Sequence, residues 1–253
     1  MKQRISIIIP AFNEEARIGN VIEPLFREKD FFEIIVIDDG SSDKTSEVAK
    51  GFFGVRVVKL DRNQGKGAAI IRGIEEARGD ILVFIDADLV GLTKNHIRAL
   101  VKPVADGGAE ATLGVFRKDW KKIKEIIKQD LKDLKTLDIN KIFLRKKRKF
   151  NRIFDVSHLA QIAAKGLSGQ RAIKADLARL FPKSFSRTRF GIEIAINKFL
   201  KENKIIAKIV FLDDLTQVIK EKKSGGVLIG FGRRLRMYGQ VIWTAIVFYL
   251  WKR

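Results

Sequence analysis

The sequence predicts an α/β fold with a mostly parallel central sheet flanked by helices. Near-continuous apolar runs at Ile5–Ile9, Ile34–Ile37 and Ile81–Ile85 suit strands buried on both faces. Between them lie segments whose apolar residues keep helical spacing, the alternation that makes β-α-β units. Each run also ends in polar or acidic residues, at Asn13 and Glu14, at Asp38 and Asp39, and at Asp86 and Asp88. In open α/β sheets the carboxyl edge of the strands is where ligands bind.

Taken in order, Ile5–Pro10 reads as a buried strand that Pro10 ends. Asn13 is placed as the N-cap of a helix, with Glu14 and Glu15 at its positive end. Ile18, Val21, Ile22, Leu25 and Phe26 form the face that packs on the sheet. Residues 33–38 are the second strand, followed by a turn at 39–43 and a helix to about Lys50. A third strand covers 55–60. The turn Asn63-Gln-Gly-Lys-Gly67 opens the next helix, with Ala68, Ala69, Ile71, Ile74 and Ala77 apolar. The fourth strand runs into Asp86-Ala-Asp88. Thr93 caps a helix to about Ala105, and residues 109–116 form a further strand. Beyond it, Arg117–Arg152 reads as a basic amphipathic helix, with Ile123, Ile126, Ile127, Leu131 and Leu134 on one face. The stretch Leu167–Ile173 is followed by a short helix to about Leu180, a loop, a helix at 190–200 and a late strand at 204–212. From Gly226 the pattern is helical.

The chain has 253 residues and 46% hydrophobic content, that of an ordinary globular protein. With no cysteine, disulfides, zinc–thiolate sites and a cysteine nucleophile are excluded, and a reducing cytoplasm is compatible. Two histidines, His96 and His158, exclude a histidine-rich metal cage. A net charge of +20 and a pI near 10.1 favour anionic partners: nucleic acid, acidic lipid headgroups or phosphorylated small molecules. The amino terminus enters a strand-like run at once, so no cleavable signal peptide is expected. No apolar stretch reaches the roughly 18 residues of a membrane-spanning helix.

Two acids one residue apart, separated by the small Ala87, suit a divalent cation that in turn holds a phosphate-bearing ligand. The same pair suits capping of the next helix. Asp39 and Asn13 are suited to hydrogen-bonding a base or ribose, and Gly65-Lys66-Gly67 offers amides and a cation at a helix start. The pattern Gly-x-x-x-x-Gly-Lys-Ser/Thr is absent, which argues against a P-loop nucleotidase. The first turn lacks Gly-x-Gly-x-x-Gly, which argues against a dinucleotide-dependent oxidoreductase.

The series Pro10-Ala-Phe-Asn-Glu-Glu15, Val36-Ile-Asp-Asp-Gly-Ser-Ser-Asp43, Asn63-Gln-Gly-Lys-Gly67 and Asp86-Ala-Asp88 resembles family-two nucleotide-sugar glycosyltransferases of the GT-A fold. The resemblance implies a donor site: Pro10, Ala11, Asn13 and Glu14 beside the base, Asp39 on base or ribose, and Lys66 and Ala87 near the nucleotide. It implies Asp86 and Asp88 as ligands of Mg²⁺ or Mn²⁺. Further on, Ser168-Gly-Gln-Arg-Ala172 and Arg189-Phe-Gly-Ile-Glu-Ile194 are similar to relatives of dolichyl-phosphate mannose synthase and glucosyl-3-phosphoglycerate synthase. That likeness implies Gly169, Gln170 and Arg171 at the donor sugar or an anionic acceptor, and Glu193 orienting the sugar or acting as general base, with Asp88 as the other catalytic acid. Two positions depart from the relatives' patterns: Val90 stands where a glutamine often follows Asp-x-Asp, and Gln217 where a histidine ligand is common.

The expected activity is therefore transfer of a sugar from a UDP- or GDP-sugar to an anionic acceptor, a polyprenyl phosphate or other membrane lipid. The alternatives are a soluble phosphorylated acceptor such as phosphoglycerate, or an inactive nucleotide-sugar-binding homologue. One domain is expected over 1–253, with a donor half at 1–115, an acceptor half with the basic helical insertion at 116–225, and an apolar helix at 226–253. The basic helix and the aromatic-flanked Val241–Trp251 suit peripheral contact at the inner face of the cell membrane, against the alternatives of a solvated face and a docked helix. No nucleic-acid-binding module is recognised, so nucleic acid is not an expected partner.

Overall fold

A computed structural model describes residues 3–26, 31–116 and 169–217. The basic helix expected at 117–152 and the apolar segment at 226–253 lie outside the described residues. The strands are β1 (Ile5–Ala11), β2 (Glu33–Asp38), β3 (Val55–Lys59), β4 (Ile81–Phe84), β5 (Leu89–Val90), β6 (Ala111–Phe116), β7 (Arg171–Lys174), β8 (Ala207–Leu212) and β9 (Thr216–Gln217). The helices are α1 (Ile18–Phe26), α2 (Thr45–Lys50), α3 (Lys66–Glu76), α4 (Lys94–Ala105), α5 (Ala175–Ala178) and α6 (Ile192–Glu202), with a 3₁₀ segment over Lys183–Gly191.

Seven strands form one sheet in the order β3-β2-β1-β4-β7-β6-β8, and β5 pairs with β9 in a separate two-stranded ladder. The β1–β4 block is parallel throughout, β7 runs antiparallel to both neighbours, and β6 and β8 are parallel to each other. Helices cover both faces because the apolar strand residues alternate between them. Ile7, Ile9, Val36, Val83 and Ile85 pack with Val21, Ile22 and Leu25 of α1 and Ile97, Leu100 and Val101 of α4. Ile8, Ile35, Ile37, Leu82 and Phe84 pack on the other face with Ala69, Ile70 and Ile74 of α3 and Ile192 and Ile196 of α6.

Helix α3 lies very close to the sheet. A Cβ added at Gly73 would meet Ile8 Cγ2 at 2.4 Å. Gly73→Ala gains about 1 kcal/mol of helix propensity, but overpacking a filled core costs about 1–3 kcal/mol. The clash is expected to win, lowering the urea midpoint with no change in the denaturant slope.

Several sequence expectations are corrected. Pro10 does not end β1: it lies in register with Ile37, and the strand continues to Ala11. Ala11 turns its carbonyl toward β2, where it accepts from the Asp39 N–H, and Ile8 turns its carbonyl toward β4, accepting from Ile85. By alternation Pro10 faces the β4 side, beyond the last β1–β4 pair at Ile8 and Phe84, so its missing N–H falls past the end of that paired register. Residues 171–174, in a stretch to which the sequence pattern assigns no element, are the antiparallel strand β7 in the interior of the sheet. Four residues are too few for a periodicity signal. The late strand begins at Ala207 and the helix at Ile192, and Phe26 is 38% exposed.

Candidate active site

The carboxyl ends of β1, β2 and β4 converge, as expected, but the groups there do different work. Asn13 is not a helix N-cap. It adopts a left-handed φ of 54°, donates its N–H to Ser41 Oγ at 2.9 Å, and accepts the Ser42 N–H on Oδ1 at 3.0 Å. Asparagine tolerates that φ better than most residues. The amides of Glu14 and Glu15 donate to Thr45 Oγ1 at 2.8 Å and Asp43 Oδ2 at 3.1 Å. Groups that a local cap would satisfy are thus satisfied from the loop after β2, which locks the two loops together. Asp38 is fully buried and accepts from the Ser41 N–H and the Ser46 hydroxyl, a turn-holding role.

Asp39 organises the next loop. Its carboxylate accepts from Gln64 N at 2.8 Å, Gly65 N at 2.7 Å and Asn63 Nδ2 at 2.9 Å. Burial raises its carboxyl above the usual aspartate range, against these donors and the charge of Arg189. Gly65 has a φ of 97°, and a Cβ there would lie 2.6 Å from Arg189 Cγ. Only glycine fits this step, and it delivers Lys66 to the first position of α3.

Lys66 is the hub. Its Nζ lies 2.6 Å from Asp86 Oδ1 and 2.6 Å from Glu193 Oε1. Burial favours the neutral amine, but the two carboxylates outweigh it and hold the pKa well above the usual lysine range. The other Asp86 oxygen accepts from Gln170 Nε2 at 2.8 Å. Register explains the meeting. Antiparallel β7 begins with Arg171 opposite Phe84, so Gln170 and Gly169 fall beside Ile85 and Asp86. A Cβ at Gly169 would come within 2.6 Å of both Asp86 carboxylate oxygens and Lys66 Nζ. Buried Arg171 donates to Asn197 Oδ1 at 3.1 Å. Burial lowers its pKa, opposed by the charges of Glu193 and Asp86. Two cations and two carboxylates therefore form a balanced cluster walled by Gln170 and Gly169.

Of the residues singled out from sequence, Lys66, Asp86, Gly169, Gln170, Arg171 and Glu193 come together here. Asp39, Asn13 and Glu14 lie in the loops that follow β2 and β1, and Pro10 and Ala11 at the end of β1 and Ala87 beside Asp86 are buried. Asp88 is half-buried and stands one residue before β5. Gln217 falls opposite Leu89 in the β5–β9 ladder, so the backbone of the late segment does reach the Asp-x-Asp end. Sequence reasoning missed Asn197, although its place four residues after Glu193 on a helix puts both on one face. It also missed the bond from Arg189 Nη1 to Asn63 Oδ1 at 3.5 Å and the left-handed φ of 46° at Arg189. His96 joins Thr93 in a capping box, and its Nε2 lies 2.8 Å from the Asp213 carbonyl, which ties the end of β8 to α4.

A family model described as Glycosyl transferase family 2 matches residues 6–167. The chain belongs to that family. It is 37% identical over 120 residues to glycosyltransferase AglD of Haloferax volcanii, covering 44% of this chain and 19% of that protein. It is 38% identical over 107 residues to the human dolichyl-phosphate beta-glucosyltransferase, covering 36% of this chain and 32% of that one. The chain spans about half or less of the length of the curated relatives it matches. Among solved structures, glucosyl-3-phosphoglycerate synthase of Mycobacterium tuberculosis, in complex with Mn²⁺, UDP and phosphoglyceric acid, superposes with a TM-score of 0.69 at 26% identity, over 96% of this chain and 78% of that one. The fold is that of the GT-A glycosyltransferases.

Proposed function

We propose that the protein transfers a sugar from a nucleotide-sugar donor to a phosphate-bearing acceptor, with a polyprenyl phosphate as the acceptor class. The observation that carries this is the Lys66 ammonium shared between Asp86, on the donor-strand edge, and Glu193, on the helix behind the Gly169–Arg171 segment. Donor and acceptor sides meet at one charged cluster. In this reading residues 1–115 hold the donor and the segment from Gly169 onward serves the acceptor, within one domain.

Asp86 and Asp88 fit a hard divalent ion. Among the described residues no group of three or more carboxylate, histidine or cysteine side chains forms a metal cage. Two carboxylates suit Mg²⁺ or Mn²⁺, which commonly take one or two from protein and the rest from phosphate and water. When bound, such an ion supplies charge neutralisation for the departing nucleoside diphosphate. The Asn13–Glu14 and Asp39 loops, braced against each other, frame the base and ribose. Lys66, at the positive end of α3, serves the diphosphate. Arg171, held by Asn197, draws an anionic acceptor toward the sugar, and Glu193 orients it. A phosphate acceptor is already ionised near neutral pH and needs no base; a hydroxyl acceptor would use Glu193 to take its proton.

The lipid reading is supported by the curated relatives named as dolichyl-phosphate glucosyltransferases. A soluble phosphorylated acceptor is the second reading, favoured by the likeness to glucosyl-3-phosphoglycerate synthase. Peripheral attachment belongs to the first. Among the described residues no helix is long and apolar enough to cross a membrane.

UDP or GDP with Mn²⁺, at about 100 times Kd, is expected to raise Tm by roughly 5–10 °C. If neither nucleotide shifts the transition and Asp88→Ala behaves as the unaltered protein does, the reading fails. Transfer of radiolabelled sugar to polyprenyl phosphate or to phosphoglycerate then separates the two acceptors.

A further inference from the structure

We infer that Lys66 is the resident cation of the donor site, competing with a divalent ion for Asp86 until a nucleotide diphosphate draws the ammonium away. This rests on the reading of Asp86 as a metal ligand. Lys66 Nζ is 2.6 Å from Asp86 Oδ1, and Gln170 Nε2 takes the other oxygen at 2.8 Å. The cluster of Lys66 and Arg171 with Asp86 and Glu193 is balanced in charge without any added ion. A dication placed on the same carboxylate would meet the ammonium at short range in a site largely screened from water, and the two would repel strongly.

Escape is possible in only some directions. Gly169 closes one side, since even a Cβ there would stand 2.6 Å from Nζ. The lysine side chain itself has four rotatable carbons and starts at the amino end of α3, where phosphate oxygens are favoured. A diphosphate along the strand ends offers the ammonium new oxygen partners. When Nζ moves to them it leaves Asp86 open to the ion and leaves Glu193 open on the acceptor side in the same motion. Ion and nucleotide therefore bind in mutual support, and the acceptor-side carboxylate is released only after the donor has arrived.

Mn²⁺ binding to the full chain, followed through the electron paramagnetic resonance signal of the free ion, tests this without any turnover. In the unaltered protein UDP or GDP is expected to tighten Mn²⁺ binding at least about tenfold, and Lys66→Met is expected to bind Mn²⁺ about tenfold tighter in the absence of nucleotide. The nucleotide-dependent gain shrinks accordingly. Lys66→Gln, which keeps a donor for one carboxylate, shifts the same way and serves if the methionine variant does not fold. Arg189→Met removes one positive charge from the same edge and is expected to change nucleotide-free binding far less. Nucleotide-free affinity unchanged in both lysine variants, an equal rise in Arg189→Met, or unaltered protein whose Mn²⁺ affinity ignores nucleotide would each overturn the inference. Equal Mn²⁺ binding by Asp86→Asn and the unaltered protein with nucleotide present is a different failure: it removes the metal reading of Asp86 itself, and this inference with it.

Discussion

Asp86→Ala is expected to lower sugar transfer by about 1,000-fold, the scale seen when a group that stabilises developing charge is removed. The side chain is only 13% exposed, so the carboxylate acts in a site that water screens poorly. Its loss removes one of the two partners of Lys66 and the acceptor of the Gln170 amide. Lys66 keeps Glu193 at 2.6 Å, but Lys66 and Arg171 are then two buried cations sharing one carboxylate, so some stability is lost along with the rate. Asp86→Asn separates charge from shape. Its amide oxygen can still accept from Lys66 or Gln170, yet it offers a divalent ion no negative charge, so its transfer rate should fall nearly as far. Rates under saturating donor, read beside thermal melts, decide the matter. Activity within tenfold of the unaltered protein for either variant would remove Asp86 from the chemistry.

The reach of the sequence can be judged from the same residues. Strands β1, β2 and β4 are legible because each is an apolar run bounded by polar turns, the signature of buried parallel strands, whereas the edge strand β3 is only half-buried and carries Arg56 and Lys59 among its valines. The strand-end acids were legible as a set for the same reason. What each acid does was not. Asp38 and Asp39 are neighbours of identical chemistry, yet Asp38 holds its own turn and Asp39 reaches across to the 63–65 loop. Alternation along β2 sends them to different surroundings, and nothing in the local sequence states which loop waits on each side. Asn13 failed as an N-cap because its partner is Ser42, a contact set by the tertiary meeting of two loops. The second half of the site was legible only through resemblance. Gly169–Arg171 gains its meaning from the antiparallel pairing of β7 with β4, which brings together residues more than eighty positions apart. Asn197 and Arg189 matter through that same long-range packing.

Gly169→Ala is the second large effect expected, about 100-fold on transfer, since a displacement of about 1 Å in a reacting constellation costs that much. The added methyl would stand 2.5 Å from Asp86 Oδ1, 2.6 Å from Oδ2 and 2.6 Å from Lys66 Nζ, closer than any van der Waals contact allows. The backbone at Gly169 cannot retreat easily. The next residue, Gln170, is fully buried and its carbonyl accepts from the Gly114 N–H at 2.8 Å, and Arg171 is already in the β7 ladder. Asp86 and Lys66 must therefore move instead. Both are flexible at their far ends, so the strain is relieved by breaking their alignment and the stability loss stays within about 1–3 kcal/mol. The outcome distinguishes a structural glycine from a site glycine. If the methyl only loosens the fold, Tm falls and transfer per folded molecule is unchanged. If Gly169 shapes the cluster, transfer falls in folded protein, and the affinity for Mn²⁺ with nucleotide falls with it. Serine at the same position carries the same Cβ and should repeat the result, because the clash comes from the first side-chain carbon and not from polarity.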